Sequence, residues 1–222
     1  MKGTKKTGKT GAKINDRGFT ILETLVAVSI SGILMAGIYS TYYSQQKSSI
    51  VQGQVAAMQQ NLRAAMSLMT TDIRMTGYDP LGSAGAGIQN DGTDSIRVTM
   101  DTTGDGAADD ANEDVTYSLY DADGDGDNDL GRNTGSGNVP AAANIDALNF
   151  VYLDAQGAVT ATVSEMRSVQ ISILARTERA DPGFTNNETY TNQQGTPIYT
   201  ASGDHYRRRM LTAQVKCRNL GL

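Results

Sequence analysis

An uncharged and mostly apolar stretch lies near the N-terminal end of the sequence. No charged residue occurs between Glu23 and Lys47, and residues 25–43 are predominantly apolar. At a rise of about 1.5 Å per residue, this run forms a helix of roughly 28 Å, which is long enough to cross the hydrocarbon core of a bilayer. The pattern therefore predicts one membrane-spanning helix.

A second apolar pattern continues beyond this span. Apolar residues recur at steps of three and four, which is the spacing of one face of a helix. No proline occurs before Pro80, and Gly77 suits the C-terminal end of a helix that stops at residue 76. The sequence predicts one continuous helix whose second half is amphipathic. Its apolar stripe consists of Val51, Val55, Met58, Leu62, Met66, Met69 and Ile73.

The remainder of the chain alternates between β-rich segments and loops that are rich in Gly, Asp and Asn. Since no helical pattern separates the β-rich segments, an antiparallel sheet is favoured over a parallel one. We expect an α+β fold in which the apolar stripe packs on one face of the sheet. The predicted strands are residues 95–100, 115–120, 148–153, 169–175 and 210–217.

The charge of the chain is unevenly distributed. Residues 1–18 contain six basic residues and one acidic residue, whereas eleven acidic residues and no basic residue lie between Asp101 and Asp129. The basic segment is too polar to form a core, so we expect it to be disordered. Because it precedes the span, it places the N-terminus in the cytoplasm and the body of the protein on the other side of the membrane.

The rest of the composition excludes several classes of function. The part of the chain outside these two segments is nearly neutral, which argues against a nucleic-acid partner. One cysteine, Cys217, and one histidine, His205, exclude an intrachain disulfide and a cysteine- or histidine-rich metal site. The sequence offers no nucleophile–histidine–acid combination, so we expect a protein that is not an enzyme.

The acidic stretch between two predicted strands is the candidate ligand site. Carboxylates at alternate positions can direct several oxygens to one Ca²⁺ ion. The residues are Asp121, Asp123, Asp125, Asp127 and Asp129. An EF-hand is excluded, because Arg132 occupies the position of the bidentate glutamate. The alternative is a solvated turn. A second, poorer candidate runs from Asp101 to Asp114, and any bound Ca²⁺ would have a structural role.

Two smaller features leave alternatives open. The run Arg207-Arg208-Arg209 beside His205 fits a solvated face, or else a site for an acidic neighbour in an assembly. Cys217 lies late in the last predicted strand, where a buried thiol is favoured over an intermolecular disulfide.

Residues 17–23, RGFTILE, followed by the apolar run, resemble the N-terminal signature of type IV prepilins and of the pseudopilins of type II secretion. The resemblance implies that a prepilin peptidase cleaves between Gly18 and Phe19 and that Phe19 is then N-methylated. It also implies that Glu23 meets the N-terminal amine of a neighbouring subunit. An amine and a carboxylate are each costly in lipid, but they are tolerated there as a pair.

Further segments, residues 58–66, 72–80, 206–210 and 216–220, resemble PilW-type minor pilins. The resemblance implies a subunit that initiates or primes type IV pilus assembly, with a position near the tip as one option. Its expected partners are the prepilin peptidase, other minor pilins, the major pilin, the inner-membrane assembly platform and, before assembly, membrane lipid. The chain then divides into a removed leader (1–18), a transmembrane or filament-core half of the helix (19–46) and a periplasmic pilin-like head (47–222).

Two other functions fit the same sequence. One is a minor pseudopilin of a type II secretion system, similar to the J subunit. The other is a single-pass, Ca²⁺-binding surface or adhesion protein whose anchor is not cleaved.

Overall fold

A computed structural model of the chain describes residues 18–90 and 92–221, without the side chain of residue 90. The predicted leader therefore lies outside the described residues, except for Gly18. The chain divides into two compact units, Met1–Ser49 and Ile50–Leu222. We call them the N-terminal unit and the C-terminal unit.

One helix, α1 (Ile21–Met75), begins in the N-terminal unit and ends in the C-terminal unit. Every described residue of the N-terminal unit is exposed, including the whole apolar run. By its length and composition, α1 is able to cross a membrane. This agrees with the predicted span.

The helix ends where the sequence predicts. Gly77 adopts a left-handed conformation with φ of +79°, and the N–H of Tyr78 donates to the carbonyl of Met75 over 3.0 Å. A left-handed glycine is a common helix terminator, because it lacks the Cβ that strains this conformation. The chain therefore turns away from the helix axis immediately after α1.

The strands of the C-terminal unit form antiparallel sheets. A five-stranded sheet has the order β1-β2-β3-β4-β5, a three-stranded sheet has the order β10-β7-β6, and β8 and β9 form a ribbon. The strands are β1 (Ile88–Asn90), β2 (Ile96–Thr99), β3 (Asp114–Tyr120), β4 (Asp129–Asn133), β5 (Asn138–Ala142), β6 (Ile145–Leu153), β7 (Ser168–Arg176), β8 (Thr189–Thr191), β9 (Pro197–Thr200) and β10 (Arg208–Lys216).

All five predicted strands are confirmed, as is the α+β class with a long N-terminal helix. These five strands are divided between the two larger sheets instead of forming one, and the β8-β9 ribbon was not predicted. The division occurs between β5 and β6, where Asn144 adopts a left-handed φ of +59° and redirects the chain. Asparagine tolerates this conformation better than most residues do.

The core of the C-terminal unit lies between α1 and the two larger sheets. Met58, Leu62, Met66, Met69 and Ile73 of the predicted stripe are buried, together with Ala65. They belong to one apolar cluster with residues of both sheets. The apolar spacing of the sequence thus identifies the buried face of the helix correctly.

Candidate functional site

The segment that precedes α1 is accessible and not helical. Gly18, Phe19 and Thr20 lie outside regular secondary structure, and the side chain of Phe19 is 87% exposed. The helix begins two residues after Phe19, at Ile21. The peptide bond between Gly18 and Phe19 therefore lies in an exposed segment outside regular secondary structure.

Glu23 closes a reciprocal cap at the start of α1. Its Oε2 atom accepts hydrogen bonds from the N–H of Thr20 over 2.8 Å and from Oγ1 of Thr20 over 2.9 Å. In return, the N–H of Glu23 donates to Oγ1 of Thr20 over 3.2 Å. This is the geometry of a capping box, which satisfies N–H groups that have no partner within the helix. The sequence suggested only an acid near a helix start, and the participation of Thr20 was not predicted.

The acidic stretch forms the turn between β3 and β4, which pair as an antiparallel hairpin. Asp121 accepts hydrogen bonds from the N–H groups of Gly124 over 2.7 Å and of Gly126 over 3.1 Å. Both glycines have left-handed φ angles, of +80° and +88°. Asp125 accepts from the N–H of Asp127, and this bond lowers the pKa of Asp125. Carboxylates of the loop therefore hold its turn by accepting hydrogen bonds from the main chain of the loop itself.

The five carboxylates form two overlapping groups. Oxygens of Asp121, Asp123 and Asp125 lie within 4.8 Å of one another, as do oxygens of Asp123, Asp127 and Asp129. The first group is exposed, whereas Asp129 is buried at the start of β4. Clustered carboxylate oxygens are the ligands that Ca²⁺ prefers.

Two members of the second group already have partners within the protein. Asp127 forms an ion pair of 2.5 Å with Arg176 of β7. Asp129 accepts hydrogen bonds from the N–H groups of Asn144 over 2.9 Å and of Ala122 over 3.2 Å. Asp121, Asp123 and Asp125 also accept hydrogen bonds from main-chain N–H groups, but all three are exposed, so they are the carboxylates that a cation reaches most directly.

Two family models match the chain, one at its N-terminal segment and one over strands of the C-terminal unit. The family described as "Type IV Pilus-assembly protein W" (PilW) matches residues 114–219. The prokaryotic N-terminal methylation motif matches residues 13–39, which include Gly18, Phe19 and Glu23. The chain thus carries a PilW domain. It is a type IV pilin-like protein with a prepilin motif, and its apolar helix fits a membrane-anchored pilin.

The chain is also similar to a pilin of known structure. A solved structure of a type IV-like pilin from Thermus thermophilus is similar over 73% of this chain and 97% of the pilin, with 14% sequence identity and a TM-score of 0.45. The comparison with curated proteins gave no significant match.

In the second acidic loop, residues 101–114, carboxylates accept hydrogen bonds from the main chain of the loop itself. Buried Asp101 accepts from the N–H groups of Gly104 over 2.5 Å and Gly106 over 2.9 Å. Glu113 is also buried, which disfavours its charged form. Hydrogen bonds, first among them that from the N–H of Thr103, nevertheless lower its pKa. Among the described residues, the carboxylates of this loop form no group like that of the 121–129 loop.

The basic run at the start of β10 does not form the solvated face that the sequence favoured. The side chain of Arg208 is 1% exposed and pairs with Asp146 over 2.5 Å and with Asp204 over 2.6 Å. Arg207 pairs with Asp181 over 2.9 Å. Only Arg209 fits the prediction, because its side chain is exposed. The acidic partners come from distant loops and strands, so the spacing of the arginines gave no sign of them.

Cys217 is 1% exposed, and burial raises the pKa of its thiol to about 12. The expectation of a buried thiol is confirmed.

Proposed function

We propose that this chain is a minor pilin that is stored in the inner membrane and then incorporated into a type IV pilus through α1. In this role it helps to initiate the filament and lies near its tip. The observation that carries the proposal is the prepilin motif on an accessible Gly18–Phe19 junction, directly before an exposed apolar helix. The PilW match over residues 114–219 supports it.

In this proposal, the basic leader keeps the N-terminus in the cytoplasm, where a prepilin peptidase removes residues 1–18 and Phe19 is methylated. The C-terminal unit then lies in the periplasm, and after assembly at the cell surface. The partners are other minor pilins, the major pilin and the inner-membrane assembly platform. We propose a structural rather than an enzymatic role, because the sequence contains one histidine and a single, buried cysteine.

The proposed role of Glu23 requires a change of partner. In the structure its carboxylate caps the helix to which it belongs, through Thr20. When α1 leaves lipid for a filament core, we propose that the amine of a neighbouring subunit's first residue takes this carboxylate as its counter-ion. A buried charge without a partner costs several kcal/mol, so the pairing favours insertion in the correct axial position.

Two variants distinguish pairing from capping. Glu23→Ala removes the carboxylate, whereas Thr20→Ala removes the hydroxyl of the cap and leaves the carboxylate in place. We expect both variants to insert into the membrane, but only Glu23→Ala to disappear from sheared pili. Equal incorporation of Glu23→Ala and the unmodified chain would refute the proposed pairing. Equal loss of both variants would assign Glu23 to helix capping alone.

N-terminal mass spectrometry tests the processing step. The mature chain should begin at N-methylated Phe19, both in membranes and in the sheared surface fraction. Gly18→Leu adds a side chain next to the cleaved bond, which should prevent cleavage and leave the mass of the full precursor. Because the structure has open space around Gly18, the substitution should not unfold the protein. A mature mass in the Gly18→Leu variant would place the cleavage elsewhere.

The two alternative functions predict different results. A minor pseudopilin of type II secretion would be processed in the same way, but its deletion would stop secretion and leave pili intact. The description of the matching family as a pilus-assembly protein favours the pilus. A surface or adhesion protein with an uncleaved anchor would retain residues 1–18.

We also propose that the 121–129 loop binds Ca²⁺ in a structural role. The exposed cluster of Asp121, Asp123 and Asp125 supports this, because three anionic groups within 4.8 Å repel one another and a divalent ion relieves that repulsion. Arg132, which excludes an EF-hand by sequence, is paired with Asp72 of α1 over 2.9 Å. A Ca²⁺ ion bound by Asp121, Asp123 and Asp125 would stiffen the tip of the β3–β4 hairpin.

A further inference from the structure

The strand β10 forms one edge of the three-stranded sheet. Its nine residues pair with β7 in continuous register, from Arg208 opposite Arg176 to Lys216 opposite Ser168, without a bulge. A long, regular edge presents a row of N–H and C=O groups that a strand from another chain can bind.

The direction of these groups follows from the hydrogen bonds at both ends of β10. The carbonyl of Arg207 accepts from Thr177 over 2.9 Å, and the N–H of Cys217 donates to Arg167 over 2.9 Å, so both face the β7 side. Because antiparallel strands alternate, the odd-numbered residues face β7 and the even-numbered residues face outward. Within the described part of the chain, no hydrogen bond reaches the outward main-chain groups of Met210, Thr212 and Gln214.

The other edges of the two larger sheets are blocked, interrupted or short. On β6, the N–H of Phe150 donates to Thr93 over 2.8 Å, and the carbonyl of Tyr152 accepts from Thr160 over 3.0 Å. The strand β5 contains Pro140, which cannot donate to an added strand. The strand β1 has only three residues. The strand β10 is therefore the long edge that a partner strand can join.

Five exposed cations without an ion-pair partner in the described structure lie around this edge. The side chains of Arg63, Arg74, Arg209, Lys216 and Arg218 are exposed, and none of them forms an ion pair within the described residues. The middle of β10, from Met210 to Val215, carries no charge. By contrast, the arginines that pair with carboxylates are Arg97, Arg132, Arg176, Arg179, Arg207 and Arg208.

The free cations flank both ends of the strand. Arg63 of α1 lines a cavity of about 150 Å³ with Arg209, Met210 and Leu211. Near the other end, Lys216 and Arg218 line a cavity of about 520 Å³, beside a turn that also contributes the carboxylate-bearing Asp154. In a chain with a net charge of −5, several exposed cations without an ion pair thus lie along one open edge of the described structure.

We propose that β10 binds an extended, acidic segment of a different polypeptide, which adds a strand to the β10-β7-β6 sheet. Main-chain hydrogen bonds to Met210, Thr212 and Gln214 would supply affinity. Carboxylates at the two ends of the segment would pair with the cations around Arg209 and Lys216. One apolar side chain of the segment would enter the smaller cavity beside α1.

A second copy of this chain fits the edge poorly. If two β10 strands pair antiparallel about Thr212, Arg208 of each copy lies opposite Lys216 of the other, and like charges opposite each other are unfavourable. The acidic 121–129 loop of another copy is also unsuitable, because its hydrogen bonds to Gly124 and Gly126 hold it in a turn and not in an extended strand. The charge pattern therefore favours a different, acidic chain.

Hydrogen–deuterium exchange tests the proposal on the full chain, isolated from the membranes of the cells that naturally produce it. Because the chain is taken from membranes, amide exchange in β10 is measured whether or not the chain is incorporated into a pilus. We compare the chain alone with the chain in its native complexes. The amides of Met210, Thr212 and Gln214 should exchange at least about 10-fold more slowly in the complexes.

The variant Thr212→Pro removes one outward N–H group and leaves the β10–β7 hydrogen bonds intact, because the N–H of Thr212 faces away from β7. Its control is Thr212→Val, which keeps the N–H group. We expect the protection to be lost in Thr212→Pro and retained in Thr212→Val, with unchanged protection of β7 in both. Equal exchange rates in free and complexed chains, or protection that survives Thr212→Pro, would overturn the proposal.

The double variant Arg209→Glu/Lys216→Glu tests the sign of the partner's charge. It should lose the protection, whereas the control Arg179→Glu, at an exposed arginine beside Glu178, should retain it. Protection that rises with the concentration of the purified chain alone would identify a second copy as the partner and overturn the assignment to an acidic chain. Protection that persists in the double variant would overturn it as well.

Discussion

The hydroxyl of Tyr117 in β3 donates a hydrogen bond of 2.6 Å to Oδ2 of Asp72 in α1. The same oxygen accepts from Nε of Arg132 in β4 over 2.9 Å. Burial and the neighbouring Asp72 raise the pKa of Tyr117, so its hydroxyl remains a donor at any physiological pH. The three side chains thus attach the amphipathic half of α1 to the five-stranded sheet through one carboxylate.

Tyr117→Phe should lower the free energy of unfolding of the C-terminal unit by about 1.5 kcal/mol, because it removes a buried hydrogen bond to a charged group. Tyr120→Phe, on the same strand but partly exposed, should change it by less than about 0.5 kcal/mol. Denaturant unfolding in detergent measures both. Equal effects of the two substitutions would show that the bond to Asp72 contributes little.

Gly77, just after the end of α1, and Gly53, within α1, should respond in opposite directions to alanine. At Gly77, the φ of +79° and a new Cβ atom 2.5 Å from Cδ2 of Leu220 should cost about 2 kcal/mol or more. At Gly53, which is helical and has open space around it, alanine should add about 0.5–1 kcal/mol. Unfolding curves of the two variants check the prediction. Stabilisation by Gly77→Ala would contradict the left-handed end of α1.

The pair between Asp204 and Arg208 should make stability depend on pH. The hydrogen bond from Arg208 lowers the pKa of Asp204 in the folded chain, so the pair stabilises the fold while Asp204 is charged. Asp204→Asn should therefore cost about 2 kcal/mol at pH 7. The difference from the unmodified chain should shrink as the pH falls below about 4 and Asp204 is protonated in both folded and unfolded states. A constant difference down to acid pH would exclude this electrostatic origin.

Calcium binding should depend on the exposed carboxylates of the 121–129 loop. Calorimetric titration of the full chain should give a Kd on the order of 10⁻⁴ to 10⁻³ M, as is usual for extracellular modules. The triple variant Asp121→Asn/Asp123→Asn/Asp125→Asn should not bind. The control Asp105→Asn/Asp109→Asn/Asp110→Asn, in the neighbouring loop, should bind normally. Absence of heat and of a thermal shift at millimolar Ca²⁺ would end the calcium hypothesis.

Cys217 should be unreactive in the folded protein. Since burial raises the pKa of its thiol to about 12, very little thiolate exists at pH 8. Alkylation by iodoacetamide should be about 100-fold or more slower than in guanidinium chloride. Rapid alkylation of the native chain, or a disulfide-linked dimer from membranes, would support the intermolecular disulfide instead.

The parts of the fold that the sequence predicted are those with strong local signals. The spacing of Met58, Leu62, Met66, Met69 and Ile73 identified the buried face of α1, and the β-rich segments identified five strands. The strands that were missed are short or contain residues that disfavour strands, such as Gly131 in β4 and Pro140 in β5. They form because neighbouring strands pair with them, and this information is not local.

The candidate sites, like the fold, were predicted only where the sequence signal is local. Sequence pattern placed Glu23 and the acidic hairpin, but it did not reveal that Thr20 holds the Glu23 carboxylate. It also did not reveal that Asp127 is bound by Arg176, which lies 49 residues away. Long-range ion pairs leave no periodic trace in a single sequence, and the burial of Arg208 was missed for the same reason.

The two acidic loops, which begin at Asp101 and Asp121, show which residues fold the turn and which residues only add negative charge to it. Asp101, Gly104 and Gly106 make the same hydrogen bonds as Asp121, Gly124 and Gly126, with glycine φ angles of +75° and +89° against +80° and +88°. The first loop reaches this path with Thr103 and Ala107 where the second has Asp123 and Asp127. The carboxylates of Asp123 and Asp127 are thus not needed to fold the turn, so the charge at the hairpin tip can be changed by substitution without changing the path of the backbone.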